Sequence, residues 1–118
     1  MASLNKVMLI GKLGKDPEIR YAASGTAFAN FSIATDDRRK GANGEWIDTT
    51  EWHNIVIAGK LAEIAGKHLA KGAQIYVEGK LQTRKWQDKD GRDRYSTEVF
   101  AEKMVMLGGK RAEVAPDG

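Results

Sequence analysis

One stretch of this chain keeps a helical repeat, and its place in the order of elements limits the fold more than any other feature. In "KLAEIAGKHLAKG" the residues Leu61, Ile64, Ala65, His68 and Leu69 recur at i, i+3, i+4, i+7 and i+8, and Gly72 supplies a stop. The other patterned segments alternate by two. "NKVMLIGKL" (5–13) is apolar on both faces, Val7, Leu9 and Leu13 on one and Met8 and Ile10 on the other, as in a strand buried from both sides, partly by another chain. "AFANFSIAT" sets Phe31 and Ile33 against Asn30 and Ser32, and "EWHNIVIAGK" supplies a third strand. "AQIYVEGKLQTRKW" and "RYSTEVFAEKM" are two further strands joined across "QDKDGRD", where Asp90-Gly91 is the turn signal.

The segments between them read as connections. "KDPEIRYAASGTA" is polar and carries Asp16-Pro17 and Ser24-Gly25, while "DDRRKGANGEW" clusters charge around Asn43-Gly44. Five strands with a single helix between the third and fourth is the order of an OB-fold, a five-stranded Greek-key barrel that is all-β apart from that helix. The domain is expected over residues 1–108. From Gly108 onward "GGKRAEVAPDG" has almost no apolar content, so residues 109–118 are expected to form a flexible C-terminal remnant. The triplet Gly-Lys-Leu recurs at 11–13, 59–61 and 79–81, but its unequal spacing is not that of a solenoid repeat.

A chain of 118 residues suits one core. The absence of cysteine excludes disulfides and thiolate metal sites and fits a reducing compartment. The start "MASLNKVMLIGK" lacks the pattern of a secretory signal, and no apolar run approaches the roughly 20 residues that span a bilayer. A soluble, intracellular protein is the expectation.

Charge is informative by position. Between Lys80 and Tyr95 six cations (Lys80, Arg84, Lys85, Lys89, Arg92, Arg94) face three anions, a surplus equal to the formal net charge of +3 for the whole chain. Alternation along 75–86 puts Ile75, Val77, Gly79, Leu81 and Thr83 on one face and Tyr76, Glu78, Lys80, Gln82, Arg84 and Trp86 on the other. A lone tryptophan there is ordinarily a packing residue. A second one repeats the arrangement, however: Trp52 alternates with Asn54, Val56, Ala58 and Lys60, while His53, Ile55 and Ile57 face the core side. Indoles flanked by cations suit an unpaired nucleic-acid strand, because every base offers a stacking face and every linkage a phosphate charge. Trp46, where a loop passes into a strand, is open to core-edge packing or to base contact.

Other chemistries fit poorly. "GKLGKDP" lacks the spacing of a phosphate-cradling loop. His53 and His68 lie on different elements without cysteine partners, which argues against zinc. Asp36, Asp37 and Asp48 lie in charged, solvated loops rather than in a metal-nuclease centre, and no serine has a nucleophile's context.

The blocks "NKVMLIGKLGKDPEIRY", "TEWHNIVIAGKLAE", "KGAQIYVEGKLQTRKW" and "DRYSTEVFAEKM" resemble, in order, the signature blocks of the bacterial and mitochondrial single-stranded DNA-binding protein family, over residues 4–108. The resemblance implies an OB-fold protomer in a homotetramer, with single-stranded DNA wrapped around it in replication, recombination and repair. It implies no catalysis and no cofactor, and a cytoplasmic, nucleoid-associated or mitochondrial location. By resemblance, Trp52 and Trp86 are stacking residues, and Arg20, Lys60, Lys71, Arg84 and Lys85 lie among or beside the backbone-contacting cations; Lys80, on the Trp86 face of its strand, is expected to join them. His53 resembles a histidine at the subunit interface, and Lys6, Gln74 and Glu78 resemble polar residues between subunit pairs. Ala58 stands where many members carry a phenylalanine, and Arg38-Arg39-Lys40 replaces a tryptophan of some members. The family's linker and acidic, partner-recruiting tip are missing before Gly118, as expected of a truncated chain or of a member that recruits partners differently. The alternative function is an OB-fold protein-interaction subunit with weak nucleic-acid binding, motivated by Ala58.

Overall fold

The computed structural model describes residues 2–108. Its elements are β1 (Val7–Leu13), β2 (Glu18–Tyr21), β3 (Ala27–Lys40), β4 (Trp46–Ala58), α1 (Lys60–His68), β5 (Gln74–Gln87) and β6 (Asp93–Gly108). Hydrogen-bonded neighbours run β1-β5-β6-β4-β3, and β3 returns to β1 through Lys12–Ala34 and Leu13–Ile33. That pairing closes a five-stranded barrel, an OB-fold with its helix between the third and fourth barrel strands.

The barrel fills by alternation. Ala27, Ala29, Phe31 and Ile33 of β3 point inward with Ile55 and Ile57 of β4, Ile75 and Val77 of β5, and Val99 and Ala101 of β6. Burying each of the larger aliphatic side chains contributes about 1.5–3 kcal/mol, so Ile33, Ile55, Ile57, Ile75 and Val77 are the main hydrophobic term. Helix α1 packs chiefly on β3, burying Ala62 and Ala65. Where β5 passes β6, Gly79 lies at a register shift, and a Cβ there would collide with the Phe100 carbonyl oxygen. The glycine lets the two backbones meet at the barrel seam.

Four expectations need correction. The connection at 15–27 contains β2, whose Glu18–Tyr21 pair with Asn30–Ala27 because Ile19 alternates toward the core there. The charged segment at 36–46 is mostly strand, since β3 runs to Lys40, β4 starts at Trp46 and cross-strand side-chain contacts hold the pair. The helix ends at His68, with Leu69 already extended, so Gly72 belongs to a later turn. Lys60 is the first helical residue: β4 stops at Ala58 and Gly59, at φ +76°, breaks the alternation that would have placed Lys60 with Trp52. For β1 the expectation named another chain as part of its cover, and in the single chain Met8 and Ile10 are 62% and 54% exposed. The expected remnant at 109–118 lies outside the described residues. Among the described residues, no helix is long and apolar enough to cross a membrane.

Candidate nucleic-acid interface

Because β3 buries its odd-numbered residues, Phe28, Asn30, Ser32 and Ala34 must face outward, and register carries that face across the sheet. They pair with Ala58, Val56, Asn54 and Trp52 of β4. On one side β2 adds Arg20 opposite Phe28 and Glu18 opposite Asn30. On the other, Val56 is beside Phe100 of β6, and β5 sets Lys80, Gln82, Arg84 and Trp86 opposite Phe100, Glu98, Ser96 and Arg94. One outer face thus spans β2, β3, β4, β6 and β5.

Two open grooves cross it. The larger, about 750 Å³, is lined by Gly14, Lys15, Ser32, Trp52 and Asn54 among others. The second, about 470 Å³, is lined by Arg20, Tyr21, Phe28, Gln82, Arg84 and Phe100. Both include Asn30 and Glu98, so they meet. Trp52 is 57% exposed, and its six-membered ring lies against Gly14, where a Cβ would come within 2.6 Å of a ring carbon. Glycine therefore lets the indole lie on the backbone after β1. Trp86 is 41% exposed, and its Nε1–H donates to Ser96 Oγ at 2.8 Å, which satisfies the indole's only donor and fixes the ring.

The cations are less free than their sequence suggests. Arg84 pairs with the largely buried Glu98 carboxylate at 3.1 Å, and that hydrogen bond raises the guanidinium pKa further. Lys85 pairs with Asp93 at 3.4 Å and, one residue from Arg84, faces the opposite side. Arg94 pairs with Asp88 at 2.9 Å, and Arg20 with Glu18 at 3.4 Å. Asp88 is the hub of the β5–β6 turn: Oδ1 accepts the N–H groups of Asp90 and Arg92, and Oδ2 accepts Arg94 Nε–H. The Arg92 backbone donor first, then the Arg94 guanidinium, holds its carboxyl below the ordinary range. Among the described residues Lys60, Lys71 and Lys80 form no ion pair, and the Lys71 backbone N–H donates to Asp16 Oδ1 at 2.8 Å on the rim of the Trp52 groove.

The β3–β4 hairpin continues the face outward. Trp46, open in sequence to core-edge packing, is 60% exposed and has Arg38 Cζ and Lys40 Nζ each 5.8 Å from its ring centroid. The carboxylates once weighed as metal ligands are engaged locally: Asp48 pairs with Arg38, and Asp36 accepts from Thr50. Among the described residues no group of three or more His, Cys, Asp or Glu could hold a metal.

A different surface gathers most of the expected interface residues. Lys6 pairs with Glu78 at 2.7 Å, Tyr76 Oη–H donates to Glu78 at 2.6 Å, and Met8 and Ile10 stand opposite Glu78 and Tyr76. The Lys6 bond first, then the Tyr76 bond, lowers the Glu78 pKa, and the same carboxylate raises that of Tyr76. Gln74 follows on β5, opposite Lys12. His53 is elsewhere, on β4, half-buried and hydrogen-bonded to Thr35 Oγ1 at 2.9 Å.

Sequence reasoning missed Tyr21, Phe28 and Phe100 on the groove. Phe28 was legible, since it alternates with the inward alanines. Tyr21 was hidden by reading β2 as a loop, and Phe100 required knowing which β6 residue lies beside Val56.

A family model described as "Single-strand binding protein family" matches residues 4–107. The chain is 53% identical over 108 residues to the single-stranded DNA-binding protein of Neisseria meningitidis serogroup A, an alignment covering 92% of this chain and 62% of that relative. It therefore spans less than two thirds of that relative's length. Among solved structures, Plasmodium falciparum SSB in complex with ssDNA superposes with a TM-score of 0.84 at 34% identity, covering 91% of this chain and 97% of that one. A deletion mutant of the single-stranded DNA-binding protein from Thermus aquaticus superposes at 0.80 with 36% identity, covering 91% and 52%. On the breadth of the family match and the identity to its curated relative, the chain belongs to the single-strand binding protein family.

Proposed function

We propose that this chain binds single-stranded DNA with little sequence preference, stacking bases on Trp52 and Trp86 and meeting phosphates with the surrounding cations, in replication, recombination and repair. The observation that carries the reading is the continuous outer face that bears two exposed, oriented indoles: grooves meeting at Asn30 and Glu98 lead from Trp52 to Arg84, two residues before Trp86 on the same face of β5. Each stacked base is worth about 1–3 kcal/mol. The Arg20–Glu18 pair is solvent-exposed and worth about 0–1 kcal/mol, so an incoming phosphate displaces that carboxylate at small cost, whereas Arg84 keeps the largely buried Glu98 and meets a phosphate with its remaining N–H donors. Arg20 and Arg84, which line the second groove, serve as phosphate contacts together with Lys60, Lys71 and Lys80, and Lys85, on the opposite side of its hairpin, contributes less. The named relatives support the reading: one is called a single-stranded DNA-binding protein, and another was solved with ssDNA.

A second surface supports an assembly of several copies. The uncovered Met8 and Ile10, with the Lys6–Glu78–Tyr76 cluster beside them and Gln74 next along β5, form a face that a second copy would cover, and His53 supplies a further subunit contact in a homotetramer. The protein acts where single strands are exposed, in the nucleoid or in a mitochondrion.

Native mass measurement with oligo(dT) of increasing length tests both parts. A tetramer that gains discrete oligonucleotide masses is the expected result, with affinity falling in salt by about 0.7 logarithmic units per decade for each phosphate contact. A chain that shows no DNA-bound species acts instead as a protein-interaction subunit.

A further inference from the structure

We infer that Phe28 is a third base-stacking platform, an assignment that rests on the single-stranded DNA binding proposed above. Phe28 faces out of the barrel between Ala27 and Ala29, both sealed in the core. Its register partners are Ala58 on β4 and Arg20 on β2. Ala58 ends at a methyl group, so its side chain is too short to lie across the phenyl ring. The ring helps to line the 470 Å³ groove together with Tyr21, which is 67% exposed, and with Phe100.

Charge is placed to match. Arg20 comes from β2 and Arg84 from β5, the two flanks of the outer face, so a guanidinium borders the aromatic floor from each side. Apolar rings between two cations suit a nucleobase whose neighbouring linkages carry phosphates. The groove meets that of Trp52 at Asn30 and Glu98, so a strand leaving Trp52 reaches Phe28 without crossing the barrel.

The pairing explains why Ala58 need not weaken the site. Directly opposed side chains on one sheet face have Cβ atoms about 4.5–5.5 Å apart, so an aromatic ring from either strand covers nearly the same spot. Here the ring comes from β3, with a small partner on β4.

Phe28→Leu keeps apolar bulk but has no π-face, and Phe28→Leu/Ala58→Phe moves the ring across the pair. Oligo(dT) affinity is measured for the wild type, both variants and Trp52→Ala at one salt concentration, with melting temperatures to establish folding. The expected result is binding about tenfold weaker for Phe28→Leu at an unchanged melting temperature, with most of the loss recovered in the double variant. If Phe28→Leu binds as tightly as wild type while Trp52→Ala is weakened, the platform is wrong and DNA binding stands. Loss without recovery in the double variant overturns the assignment to ring stacking. A wild-type chain that binds no oligo(dT) removes both readings together.

Discussion

The two hairpins that extend from the barrel use similar parts to different effect. Each carries an exposed tryptophan and turns through a glycine at positive φ, Gly44 at 86° in β3–β4 and Gly91 at 78° in β5–β6. The β5–β6 hairpin is tied across its width by Arg84–Glu98, Lys85–Asp93, Arg94–Asp88 and the Trp86–Ser96 hydrogen bond. In β3–β4, by contrast, Arg38 and Lys40 lie near the Trp46 ring, and Arg38 alone of the two also has a carboxylate partner among the described residues. A count of charges along the sequence is therefore a poor guide to the field a ligand meets. The segment with the surplus has spent much of it across its own strands, whereas the balanced-looking segment holds cations beside an indole.

Removing the indoles tests that contrast most strongly. Trp52→Ala and Trp86→Ala should each weaken oligo(dT) binding by about 1–3 kcal/mol, measured by titration. Trp46→Ala should cost less, because two cations already crowd its ring, and it should reduce the salt dependence as Arg38 and Lys40 lose their support. Equal losses for Trp46 and Trp86 would erase the distinction between the hairpins. Within β5–β6, Arg84→Ala should lower affinity and reduce the salt slope by about 0.7, whereas Lys85→Ala, on the opposite side, should change both less. A reversed order would mean that the strand runs along the other side of that hairpin.

The smallest effect concerns acid. The folded Asp88 carboxyl has a lower pKa than in the unfolded chain, so its contribution is complete above the unfolded value near pH 4 and fades as pH falls through the folded value. Below about pH 4 the melting temperature of the wild type should therefore drop more steeply than that of Asp88→Asn. Parallel curves would show that the turn does not depend on that charge.

Most of the barrel was legible because inward positions such as Ile55, Ile57, Ile75 and Val77 alternate in uninterrupted runs. The hairpins were less so. β3 beyond Thr35 carries only charged residues, whose strand state is set by partners on β4 rather than by any local apolar period. The same limit applies to the site. Trp52 and Trp86 could be placed by parity alone, but the engagement of Arg84 by Glu98, 14 positions away, and the convergence of Tyr21, Phe28 and Phe100 depend on register between strands. The helix extent failed for another reason: Leu69 continues the apolar spacing and is buried, yet its backbone is already extended.

The central claim is that bases lying on exposed indoles, rather than phosphates on cations, dominate the binding. An abasic strand of the same length keeps every phosphate and removes every stacking face, so tryptophan fluorescence is followed while it and oligo(dT) are titrated in parallel. Strong quenching and tight binding by oligo(dT), with weak binding and little quenching by the abasic strand, is the predicted result. Equal affinity for the two strands would contradict it.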